Sequence, residues 1–284
     1  DRSLSVRSPA GLVVTVVAAI LAAPAGAVTL RLKFKPGEKA TYRDQMAMAL
    51  ERTSDTDLSM RMQMRSDSKI RQTVKHTADG LATLDIETIE NSTETIPEGG
   101  KPEKSDDKGD GERIKISDRG LISERTSLGK STHSDEGIDT LAVLQRAIDG
   151  MTMPEEDLDA GGEWTDSYDV ALTDKGLKGP KTTVELSGTL VRMVTVKGRE
   201  CAELVVDFSA PLDIDKAVDV GDAKVTCKGT VLGHMTMYLD VERGESLAEM
   251  ATYGGHVQIA MEVAKHKVKL EETLKMNTKT HRID

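Results

Sequence analysis

Between positions 58 and 75 the chain alternates apolar and polar residues with a period of two. Leu58, Met60, Met62 and Met64 are interleaved with Ser59, Arg61, Gln63 and Arg65. The alternation runs on through Ile70 and Val74, with Lys69, Arg71, Thr73 and Lys75 opposite. Successive side chains of a strand point to opposite faces, so this segment is a ribbon with one buried and one wet face. At about 3.3 Å per residue it is long for a strand.

The neighbouring segments carry matching stripes. Tyr42, Met46, Met48 and Leu50 precede it; Ala82, Leu84 and Ile86 follow a turn at Ala78-Asp79-Gly80. Together they predict an antiparallel meander. The stretch from Asn91 to Gly111 breaks the pattern with Pro97, Gly99, Gly100 and Pro102 among charged residues, which predicts a solvated loop. A hairpin is expected over Arg113–Ser117 and Leu121–Arg125. Ile138, Leu141, Val143, Leu144 and Ile148 fall at helical spacing, so a helix is expected at Gly137–Asp149.

Period two returns in the second half. Gly162-Glu163 opens a strand containing Tyr168, as Gly37-Glu38 opens one containing Tyr42. This outline suggests two related β meanders, about 28–135 and 160–284, although β sequences also resemble one another by chance. Long alternating strands follow at Val225–Val241 and Leu247–Val263. Gly254-Gly255 marks a bulge or bend. The Lys- and Glu-rich final segment reads as an edge strand guarded against aggregation. The fold class is therefore mainly β: long antiparallel strands in a curved sheet or incomplete barrel around one helix.

The first 27 residues stand apart. Arg2 and Arg7 precede an uncharged run from Ala10 to Ala23, and Ala25-Gly26-Ala27 supplies small residues for cleavage. A basic start, a short apolar middle and an A-x-A end are the parts of a secretory signal peptide. The apolar run is shorter than the roughly 20 residues that span a bilayer. We therefore expect an exported, periplasmic or extracellular protein, with 28–284 as one β domain and no stable membrane span after cleavage. The net charge of −10 argues against nucleic acid as a partner.

Motifs for chemistry fail on inspection. Gly129-Lys130-Ser131 resembles the end of a P-loop, but Glu124 stands where its first glycine belongs. The acidic run from Asp106 lacks a glutamate at the twelfth position of a calcium loop, which is Ser117. The six histidines show no metal-ligand spacing. We expect no catalytic residue, cofactor or metal, and no enzyme.

Two features remain. Met46, Met48, Met60, Met62 and Met64 form a thioether-rich stripe, and they are the candidate ligand-binding residues. Sulfurs about 7 Å apart on one strand face could ligate Cu(I). Flexible methionines filling the apolar face of a chain with 2% aromatics need no metal. Cys201 and Cys227 could pair across a hairpin centred near residue 214. Their strand phases differ, so a disulfide needs a bulge to bring them together, and two separate thiols are the alternative.

The layout resembles a group of uncharacterised exported bacterial β-sheet proteins that carry a Pro…Gly-Asp-x-Trp segment before their second half. Met153-Pro154 and Gly162-Glu163-Trp164 carry the resemblance, with Glu163 where Asp is usual. More remotely, the plan is similar to lipoprotein carriers of the LolA type, which implies a curved sheet wrapping a helix and sheltering an acyl chain. The resemblance implies a hydrophobic, lipid-like ligand. The alternative is a structural or protein-interaction module of the cell envelope, with a filled core and an envelope protein as partner.

Overall fold

The alternation produces strands wherever it is sustained. In the computed structural model, which describes residues 26–55, 59–106, 111–129, 140–172, 180–220, 223–263 and 266–284, the long ribbons pair into one antiparallel sheet. The strands are β1 (Lys39–Ser54), β2 (Met60–Ala78), β3 (Leu81–Pro97), β4 (Glu103–Ser105), β5 (Glu112–Ser117) and β6 (Ile122–Ser127). After helix α1 (Thr140–Asp149) come β7 (Glu163–Ala171), β8 (Lys181–Val196), β9 (Arg199–Val220), β10 (Ala223–Asp240), β11 (Glu245–Val263) and β12 (His266–Arg282). Residues 1–25 of the expected signal peptide, Leu58 and the first residues of the expected helix lie outside the described residues.

The order is β6-β5-β3-β2-β1-β12-β11-β10-β9-β8-β7, with β4 added beside β3. Each half is a meander, and β12 joins them by pairing with both β1 and β11. The final segment is thus central, contrary to the edge-strand expectation. Its charges occupy mainly the outer face, while Leu274 is buried and Leu270 packs against the core. Among the described residues the strand order ends at β6 and β7, and β4 is a further short edge. Part of the stretch expected to be a loop after Asn91 is strand: β3 runs to Pro97, and β4 pairs with Thr93–Thr95.

Turn chemistry sets the registers. Asp79 and Gly80 both have positive φ (53° and 76°), as a two-residue type I′ hairpin demands. No bulge occurs at Gly254-Gly255, where pairing to both neighbours is unbroken. A side chain at Gly255 would contact the Thr140 methyl at 3.4 Å, so the small residue makes room for the start of α1.

The cysteines are separate thiols, both buried. The β9–β10 turn follows Val220, not residue 214. Cys201 consequently faces Asp240, and Cys227 faces Ile214 and Ile259. The distance along the hairpin, as well as the difference in phase, keeps them apart.

The largest core cluster joins α1, through Val143, Leu144 and Ala147, to Met48, Leu50, Val184, Leu186 and Leu212 on the sheet. Fully burying each Val, Leu or Met side chain of this set contributes about 1.5–3 kcal/mol. The helix also ties the sheet edges together. Arg125 of β6 pairs with Asp149 at 2.7 Å, and the Tyr168 hydroxyl of β7 donates to the Ala147 carbonyl at 2.5 Å. The sheet does not close on itself; α1 spans the gap.

Candidate functional site: an apolar cavity inside the sheet

Residues that are far apart in the strand order share one cavity. Ile114 of β5 and Leu204 of β9 would lie roughly 34 Å apart across a flat sheet with strands about 4.8 Å apart. Both line the same space, so the sheet must curl around it. The cavity measures about 340 Å³.

Its walls follow from strand phase. Tyr42, Ile70 and Val74 come from the inward positions of β1 and β2, and Leu84, Ile86 and Ile114 from β3 and β5. Met235, Met237, Glu249 and Tyr253 come from β10 and β11, with Thr280 from β12. Trp164 adds an aromatic wall from β7. Its indole lies over Gly188, the residue paired with it on β8, where a β carbon would come within 2.1 Å of the ring. The indole N–H donates to the Thr152 carbonyl at 3.2 Å.

A strap covers one end. Leu30 is fully buried, and the Leu32 and Lys33 amides donate to the Asp118 and Gly244 carbonyls at 2.7 and 3.0 Å. The segment thereby links the β5–β6 turn to the β10–β11 turn. A side chain at Gly244 would lie 2.5 Å from the Lys33 nitrogen, so glycine permits this approach. The lining reaches the surface at exposed Lys33.

Polar and charged side chains interrupt the apolar lining. Burial pushes the phenols of Tyr42 and Tyr253 up to about 12. Burial also holds the Glu249 carboxyl above the ordinary carboxylate range; the Ser246 hydrogen bond opposes this and the nearby Asp44 charge adds to it. Thr280 donates to Asp44 at 2.6 Å. At the rim, Arg282 pairs with Glu245 and with Asp284, the latter at 2.9 Å.

The five candidate methionines lie elsewhere on the same face. Met48 is buried, Met62 and Met64 pack against the core cluster, Met46 is half-buried, and Met60 is 40% exposed. None lines the 340 Å³ cavity. Pairing sets Met48 opposite Met64 and Leu50 opposite Met62. A polar belt of Asp44, Ser66, Ser68 and Thr280, on the same strand phase, separates this apolar zone from the cavity.

Sequence reasoning missed Glu249 and Trp164 as site residues. Glu249 had a readable signal: it shares the phase of Leu247, Ala251 and Tyr253, so a charge occupies an inward position. Trp164 had none, because its role depends on the glycine across from it. Among the described residues, no group of three or more His, Cys, Asp or Glu is placed to hold a metal ion. No helix there is long and apolar enough to cross a membrane. The chain matches no protein-family model and no curated protein.

Proposed function

We propose that this is an exported, non-enzymatic binding protein that carries a hydrophobic, lipid-like molecule inside its curved sheet. The observation that supports this reading most is the cavity walled by Ile70, Val74, Leu84, Ile86 and Ile114. Binding sites for small molecules are concave, mostly apolar spaces of about 300–1,000 Å³ with a few placed polar groups. At about 340 Å³ the cavity fits one slender ligand. The similarity of plan to LolA-type carriers points the same way.

Native mass spectrometry of the purified chain tests the proposal. One apolar molecule per protein, removed by organic extraction and taken up again, is the expected result. A ligand-free protein that takes up no apolar molecule overturns it. The second reading, an envelope structural or interaction module, draws support from α1, which fills the rest of the inner face with Val143, Leu144 and Ala147. Copurifying envelope proteins without lipid would favour that reading.

A further inference from the structure

The charges lining the cavity are almost all committed to partners. Lys33 donates to the Val241 and Glu242 carbonyls at 3.2 and 2.8 Å. Arg119 binds Glu155 at 2.8 Å and the Met153 carbonyl at 2.7 Å. Arg125 is held by Glu112 and Asp149, and Arg282 by Glu245 and Asp284. Among the described residues each lining arginine is thus paired with a carboxylate, and Lys33, held only by carbonyls, stands where the lining reaches the surface.

The lining carboxylates differ. Glu245 has Arg282 and Arg199, the latter at 3.1 Å. Glu38 shares a hydrogen bond with Glu245 and lies near Lys35. Glu249 interacts with the Ser246 hydroxyl and is repelled by Asp44, and among the described residues no cation pairs with it. It is a carboxyl set into an apolar wall between Met237 and Thr280, its cross-strand partners.

We infer that the cavity selects apolar molecules bearing an ammonium group, which Glu249 receives, over those bearing a carboxylate. This rests on the carrier reading above. A carboxylate ligand reaching Glu249 would meet a carboxyl on which no cation acts among the described residues. An ammonium ligand supplies the missing partner and exchanges a desolvated, unpaired acid for a charge-assisted hydrogen bond. Such a bond contributes enough to change affinity roughly tenfold or more.

The chain has one tryptophan, Trp164, and it lines the cavity, so its emission reports binding. The full chain is titrated below micelle-forming concentrations with three probes of equal length: dodecylammonium, dodecanol and dodecanoate. We expect dodecylammonium to bind roughly tenfold or more tightly than dodecanoate, with dodecanol between them. Glu249→Gln should bring the three affinities together, and Glu249→Asp, which keeps the charge, should retain the order. Equal binding of all three by the wild type, tighter dodecanoate binding, or an unchanged order in Glu249→Gln overturns the selection while leaving the carrier reading standing. Failure of all three to bind overturns both.

Discussion

Arg125 on edge strand β6 and Asp149 at the end of α1 form an ion pair of 2.7 Å, and Glu112 receives the same guanidinium. Asp149 occupies an unfavourable place, because the C-terminal end of a helix carries partial negative charge. Arg125 answers that charge and fastens the helix to a sheet edge where, among the described residues, no further strand pairs. Its carboxylate partners hold Arg125 more firmly protonated than an ordinary arginine.

Arg125→Ala should therefore loosen the seam between helix and sheet. Charge-assisted bonds of this kind are worth about 1.5–3 kcal/mol. Both partners are partly exposed, which places the expected loss near the lower end of that range. Urea denaturation checks it, and a cycle with Asp149→Ala should show non-additivity, since each variant breaks the same bond. Additive losses would mean that the pair contributes nothing.

Arg52 and Glu272 pair on the inner face, between β1 and the central strand β12, at 2.5 Å. Glu272 is only 3% exposed, so removing its partner strands a buried charge. Arg52→Met should cost about 3 kcal/mol. The double variant Arg52→Met/Glu272→Leu should recover most of that loss, because the buried charge disappears with its partner. Denaturation midpoints of the two variants test the pair directly.

Gly188→Ala should displace the Trp164 indole, since the added carbon would lie 2.1 Å from the ring. The expected outcome is shifted tryptophan emission and weaker uptake of apolar probes, with a loss of about 1–3 kcal/mol in stability from overpacking. Unchanged emission would show that the indole does not rest on Gly188.

Alkaline pH should destabilise the fold. Burial raises Cys227 from 9.0 to about 11, and Tyr42 and Tyr253 from 10.0 to about 12. Each group keeps its proton longer when folded than when unfolded. Their contributions are complete below pH 9 and fall away as the pH rises towards 11 and 12. Thermal unfolding from pH 8 to 11 should show a falling midpoint above pH 9. The native thiols should react with a maleimide far more slowly than those of the denatured chain, because both are buried and hold their protons.

Much of the sheet was legible because alternation is a local signal. The β2 ribbon, the Asp79-Gly80 turn and the strands around Tyr42 and Leu84 stand where the apolar phase puts them. Strand order is not a local property. The charged wet face of β12 looks the same at an edge as in the centre of a sheet, so its pairing with β1, more than two hundred residues away, left no mark in its own sequence. The cavity shows the same division. Ile70, Val74, Leu84 and Ile86 were recognisable as inward residues, but which part of that face is filled and which is hollow depends on where α1 lies. The methionine stripe drew attention by its composition; it lies outside the cavity, with Met48, Met62 and Met64 in or against the packed core.

The most direct test of the carrier account is energy transfer from Trp164 to the neutral apolar dye N-phenyl-1-naphthylamine. The account predicts saturable transfer with one dye per chain, abolished when Leu84→Trp fills the cavity and competed away by dodecanol. A correctly folded protein that shows no saturable transfer, or transfer unaffected by filling the cavity, would contradict it.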